Sequence, residues 1–243
     1  MRPPPPSLSK IGASQDRRWF FAATATLLSV IVVLGFSRSY YFKLWFDRPP
    51  LSARLQIHGF VLSAWLALYV VQTLLIPVGR RQLHRRLGVI AGILAVIAVA
   101  TTYAAAFESA TSGLPGSRAM AALDGLYSSL LLATLFGIAV AAGLWYRNRP
   151  AVHKRLMFLA LLAAMGPGAN RAAALVLGHG IPGFHVYLIA VFLVAALAYD
   201  VRTRGKPHPV IIWGGAVLLV LELTRRVVGR SEVWTQFATW LTG

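Results

Sequence analysis

The chain contains no cysteine. That excludes disulfides, iron–sulfur clusters, thiolate metal sites and a cysteine nucleophile, and it leaves the compartment open. Acidic side chains are scarce too: seven Asp and Glu stand against 24 Lys and Arg in 243 residues. Charged residues make up 13% of the chain, about half the roughly 25% of a soluble domain, so most of the polypeptide is not built to meet water. No HExxH or comparable short metal motif is present, so any metal site must be assembled from distant residues.

What the sequence has instead is apolar length. It is 57% hydrophobic with a mean hydropathy of +0.65. Runs of about 20 apolar residues recur, the length that crosses a hydrocarbon core of roughly 30 Å as a helix. The runs predict an all-α polytopic bundle of seven transmembrane helices, at 19–36, 55–78, 87–107, 121–146, 156–178, 183–199 and 209–228. Three regions follow: a disordered basic and proline-rich tail (1–18), the seven-helix domain (19–230) and a short interfacial amphipathic segment (231–243) carrying Trp234 and Trp240. No small-x-small cleavage pattern follows the first run, so the first helix reads as retained rather than as a signal peptide.

The net charge of +17 would suggest nucleic acid in a soluble protein. Here the basic residues are scattered through short loops. They read as topology signals and as contacts to anionic lipid headgroups, not as a nucleic-acid surface. One set of alternate loops holds 15 basic residues and the other eight, with Arg171 inside a span. The positive-inside rule then puts the N-terminus in the cytoplasm of a bacterial cell and, with seven spans of the inner membrane, the C-terminus in the periplasm. The aromatic stretch 37–54 (Tyr40, Tyr41, Phe42, Trp45, Phe46) reads as an interfacial element.

A weak internal repeat runs through the spans. His58 opens the second span and His84 the third. Asp124 and His153 open the next two, and His185 and His208 the last two. The chain therefore reads as one leading helix plus three helical hairpins, each re-entered through a histidine.

Two constellations could carry chemistry. The first is His84, His153 and His208, at one level on three different helices. Imidazole is the commonest ligand for zinc, copper and haem iron, so convergence of these three would make a metal centre, and any two could hold a haem axially. The second lies near the other face: His58, Glu108, Asp124, Arg171, His185, Glu222 and Arg225. By helical rise, Arg171 and Glu222 each lie about 20 Å along their spans. An ionised side chain at that depth wants a partner, so Arg171 is expected to pair with Glu222 or Asp124, or to anchor an anionic substrate. Gly166, Pro167 and Gly168 in mid-span predict a kink, and broken membrane helices often border sites. The basic boxes His84-Arg85-Arg86 and His153-Lys154-Arg155 open helices, where phospholipid headgroups or haem propionates are the expected anions.

Several strings carry a resemblance: Leu55-Gln56-Ile57-His58-Gly59, Ala64-Trp65 with Gln72, Leu83-His84-Arg85-Arg86-Leu87-Gly88, His153-Lys154-Arg155-Leu156-Met157, Tyr199-Asp200, and Lys206-Pro207-His208-Pro209 with Trp213-Gly214-Gly215. Together they resemble a widespread group of uncharacterised bacterial multi-pass membrane proteins, a family defined by a domain of unknown function. More loosely, His58-Gly59, Gln72 and His84-Arg85-Arg86-Leu87-Gly88 are similar to the cytochrome b561-like architecture. That similarity implies haem b held by paired histidines for electron transfer across the membrane: His84 with His153 at the inner level and His58 with His185 at the outer. The alternatives are an accessory subunit bound to other membrane subunits, and a transporter or metal-dependent enzyme with an outer polar pocket.

Overall fold

The computed structural model describes residues 8–111 and 116–242, with the backbone alone for 8–18 and Ser117. Among these the chain is all helix: α1 (Leu8–Phe36), α2 (Ala53–Leu75), α3 (Arg81–Ala110), α4 (Ser117–Trp145), α5 (Pro150–Ala164), α6 (Gly166–Leu177), α7 (Phe184–Arg204), α8 (Gly215–Gly229) and α9 (Glu232–Thr242). The backbone of α1 begins at Leu8, inside the segment expected as a tail; residues 1–7 of that tail lie outside the described residues.

Five helices are long and apolar enough to cross a membrane, and the bent pair α5–α6 makes a sixth if it is one span. The protein is a multi-pass helical bundle with the dimensions of an integral membrane protein. The seventh expected span does not qualify. It opens with a π-helical turn, Val210–Gly214, and its α-helical part is only 15 residues long and carries Glu222, Arg225 and Arg226.

The sequence explains the element ends. Ser52 caps α2 by accepting from the Leu55 N–H. Pro150 opens α5, where a missing N–H costs nothing. Gly178 and Gly205 end α6 and α7 in the left-handed region, at φ of 75° and 74°. The expected kink is there. Pro167 cannot donate to the preceding turn, the helix breaks at Met165, and α6 leaves α5 at 53°.

Packing follows chain order around one side, α2 on α3, α3 on α4 and α4 on α5, while α1 lies along α6. The core is built on Trp65, which meets Phe136 edge-on at 4.7 Å, together with Leu28, Phe158, Leu162 and Ile189, all at most 4% exposed. Between α1 and α6 the backbones nearly touch. A Cβ on Gly35 would overlap the Gly168 carbonyl, and one on Gly168 would lie 2.9 Å from Val32 Cα. In lipid, helices have little hydrophobic reason to associate, so small residues that let backbones meet supply the attraction. The outer surface carries many large apolar side chains, among them Phe60, Val96, Val191 and Leu223, each more than 60% exposed.

Alternation of chain direction gives the bundle two ends. At the first end lie the starts of α1, α3 and α5 and the turn 205–209. At the second lie the starts of α2, α4 and α7 and the ends of α6 and α8. The stretch 37–46 folds there into a π-turn and a 3₁₀ turn exposing Phe42, Leu44 and Trp45, and α9 docks there on α4 through Trp234, whose indole N–H donates to the Leu123 carbonyl at 2.9 Å. Gly168→Leu should therefore wedge α1 from α6, at a cost of about 1–3 kcal/mol. Its thermal midpoint in detergent should drop by several degrees, while Gly180→Ala, with open space around it, leaves the midpoint unchanged.

Candidate functional site

Charge placed inside a bilayer needs a partner, so the buried polar side chains locate the sites. At the first end, Arg155 and Asp200 are 1% and 0% exposed. Arg155 grips Asp200 with two guanidinium nitrogens, Nε donating at 3.0 Å, and gives a third hydrogen bond to the Ala151 carbonyl. Asp200 also accepts the His208 backbone N–H at 3.1 Å, and His208 Nδ1 accepts the Val210 N–H at 3.1 Å. Beside this knot, Lys154 Nζ donates to the Tyr199 hydroxyl and lies over the Phe21 and Tyr199 rings. The sequence reading had Arg155 in a basic box and Asp200 in a resembling string, but did not join them.

His84 and His153 stand at the same end in the first turns of α3 and α5. Their ring centroids are 6.2 Å apart and their planes 83° from parallel. His84 Nδ1 bonds the Gln72 carbonyl on α2 at 3.2 Å, and His153 Nδ1 bonds the Gly143 carbonyl on α4 at 2.7 Å. A carbonyl only accepts, so each ring presents a hydrogen on Nδ1, and in a neutral ring Nε2 is then the lone pair. The Gln72 side-chain amide, beside His84, is buried with neither atom hydrogen-bonded. His208 is not a third member. It is committed to the Asp200 turn, and no group of three or more His, Asp or Glu that could hold a metal ion occurs among the described residues. The expected three-histidine constellation does not assemble: His84 and His153 come together, while Asp200 holds the chain at His208.

At the second end, His185 (1% exposed) is held on three sides. Asn170 Oδ1 on α6 accepts both its backbone N–H and its Nδ1, each at 3.0 Å. Its Nε2 faces Glu222 Oε2 at 3.0 Å and Arg225 Nη2 at 3.1 Å, both on α8. Glu222 is 3% exposed, with Oε1 unbonded and Oε2 3.4 Å from Arg225 Nε. No ring nitrogen of His185 is free, so the outer haem pairing of His58 with His185 does not form. His58 has a buried Nδ1 without a hydrogen bond, and so does Glu108 Oε2.

Arg171 pairs with neither Glu222 nor Asp124. Its guanidinium lies 4.5 Å from the Phe36 ring centroid and borders an open hollow of about 250 Å³ with Arg38 and Ser39. Glu222 instead meets Arg225 on its own helix and His185 on α7. Asp124 is met by Arg230 at 3.1 Å, a residue beyond the last expected span. Gly166 sits against His185: a Cβ there would lie 3.4 Å from His185 Cδ2. The break at Gly166–Gly168 thus borders a polar cluster. Asn170, three residues past Pro167, is the member that the sequence reading missed. The signal for it was a carboxamide just beyond a proline break.

No protein-family model, curated protein or solved structure matches the chain.

Two outcomes test the first-end knot. Arg155→Met leaves Asp200 buried and unpaired, which should cost about 3–5 kcal/mol. The double variant with Asp200→Leu should recover part of that, read as thermal midpoints in detergent. His208 lies outside the spans. Its burial, and then the Arg155 and Arg204 guanidiniums, hold its imidazole below the ordinary range, with Asp200 opposing. The folded state therefore binds fewer protons than the unfolded chain near the ordinary histidine value of about 6.5. The stability that His208 adds is complete above that value and lost as pH falls through it. The thermal midpoint should drop between about pH 7.5 and about pH 5, and His208→Gln should flatten the drop.

Proposed function

We propose that this is a seven-pass inner-membrane protein of a bacterium, with its N-terminal end in the cytoplasm, that holds a redox metal centre between His84 and His153, haem b being the leading candidate and electron transfer the role. The observation that carries the reading is the state of the two imidazoles. Each gives its Nδ1 hydrogen to a carbonyl of the neighbouring helix, so in the neutral ring Nε2 is the nitrogen left to bind a metal. A ligand histidine is prepared in this way, because the outer hydrogen bond fixes the tautomer and raises the basicity of the other nitrogen.

The spacing agrees. The ring centroids are 6.2 Å apart, close enough for both side chains to reach one metal ion with metal–nitrogen bonds of about 2.0–2.1 Å. Arg80, Arg81 and Arg86 line an open hollow of about 380 Å³ at the start of α3, the helix that carries His84. They suit the carboxylates of a haem or the phosphates of lipid headgroups. When bound, haem would supply one-electron exchange at its iron. The chain's own part is to orient the two rings and hold the centre where the basic loops lie. Those 15 basic residues support the cytoplasmic placement of this end.

The test is an absorption spectrum of the purified, detergent-solubilised protein, oxidised and then reduced with dithionite, beside metal analysis. A Soret band that sharpens on reduction in the parent protein, and is lost in both His84→Ala and His153→Ala, is the expected result. Bound copper or zinc lost in both variants, with a flat visible spectrum, would keep the histidine centre and remove haem. Neither haem nor metal, from cells supplied with both, would reduce the two histidines to fasteners of their hairpins and favour the accessory-subunit reading.

A further inference from the structure

The second-end cluster is independent of the metal reading, and its hydrogen bonds do not close in any single protonation state. Asn170 Oδ1 accepts from the His185 backbone N–H, which identifies that atom as the amide oxygen. The same oxygen lies 3.0 Å from His185 Nδ1, so Nδ1 carries a hydrogen whatever the charge of the ring. The variable proton of His185 can reside only on Nε2.

Nε2 faces two groups of opposite demand. Arg225 Nη2, 3.1 Å away, can only donate, and needs the Nε2 lone pair. Ionised Glu222 Oε2, 3.0 Å away, can only accept, and needs an Nε2 hydrogen. One nitrogen cannot satisfy both. With Nε2 bare, Arg225 bonds the ring and Glu222 keeps only Arg225. With Nε2 protonated, Glu222 bonds the ring and Arg225 turns to Glu222, whose Oε1 is unbonded. The two patterns differ by one proton, taken from and returned to water.

We infer that His185, Glu222 and Arg225, locked by Asn170, form a proton-binding site within the bundle at the broken helix. The charged and titratable groups around His185 are those just described. On α6, Asn170 faces the ring and Arg171 turns away onto Phe36. On α8, Arg226 is exposed on another face. The π-turn Val210–Gly214 brings no titratable side chain, and the ring contacts of α1 with α7 are at Tyr199, at the other end. On α4, Asp124 is held by Arg230. The side chains of His185 and Glu222 are 2% and 0% exposed and that of Arg225 is 12%, so Arg225 is the open edge of the cluster and the side from which a proton would enter. The ring rests against Gly166 at the break, so the two patterns load α8 differently against α6 and α7. Proton binding here is thus linked to the one bent span, as a proton-coupled transport or gating step requires.

The test is ¹⁵N NMR of histidine-labelled protein in lipid nanodiscs from about pH 5 to about pH 9, with the His185 signals assigned by their loss in His185→Asn. The expected result is an Nδ1 that stays protonated throughout and an Nε2 that passes once between bare and protonated. Glu222→Gln removes the favourable charge and should lower that midpoint by about one pH unit or more. Arg225→Gln removes the opposing charge and should raise it. If Glu222→Gln does not fold, the parent titration and Arg225→Gln still decide. An Nε2 fixed in one state across the range, or a midpoint that neither variant moves, overturns the proposal and leaves a static polar clasp.

Discussion

The Arg155–Asp200 pair decides where the polar parts of this bundle can stand. Asp200 is wholly buried near the end of an apolar helix, a position that a carboxylate can hold only with a cation in contact. Arg155 provides it and so ties α5 to α7. The free lone pairs of the same carboxylate then catch the His208 backbone N–H, which fixes the turn between α7 and α8. That turn sets the height at which α8 starts, and therefore the level of Glu222 against His185 at the far end. One ion pair thus aligns two sites about a helix length apart.

A second constraint acts on the hairpins. Loops 76–80 and 146–149 are short, and the helix that precedes each ends with carbonyls that lack a partner within the helix. His84 and His153 reach back from the first turns of the helices that follow to a carbonyl of the preceding helix, twelve and ten residues earlier. The same device used twice is the structural content of the repeat. The third hairpin departs from it. There the aspartate receives the backbone, and the histidine ring turns to Val210. The departure accounts for His208 standing apart from the His84–His153 pair.

Much of the bundle was legible in the sequence, because apolar length and Pro–Gly punctuation are local signals. The spans from α1 to α7 and the break at Pro167 follow from them. The last span was less legible, since Glu222, Arg225 and Arg226 dilute its hydropathy and a π-turn shortens its α-helical part. Partner choice was not legible. Arg171, Glu222 and Asp124 do share an end, as helical rise implied, but rise gives depth and not facing. Arg171 faces Phe36, and the cation for Asp124 came from beyond the expected span. A stronger signal was at hand in the scarcity of acids. With seven acidic residues in the chain, each one within a span must be matched to a base, and Asp200 in an apolar run next to Tyr199 called for one as firmly as Glu222 did.

The break between α5 and α6 gives this arrangement a mechanical sense. An unbroken helix would carry Arg155 at one end and Asn170 at the other as one rigid rod, and any shift at His185 would pull on the Asp200 knot. Pro167 removes the hydrogen bond that would join the two halves, and the chain bends by 53° there. Asn170 and the ring it holds can then respond to α8 while Arg155 stays locked. The tight α1–α6 contact at Gly35 and Gly168 seats the α6 half on α1 separately from α5. A fold that needed only stability would gain by closing the break with alanine. Its position, one residue from the glycine that touches His185, makes sense when the two ends of the bundle must change independently.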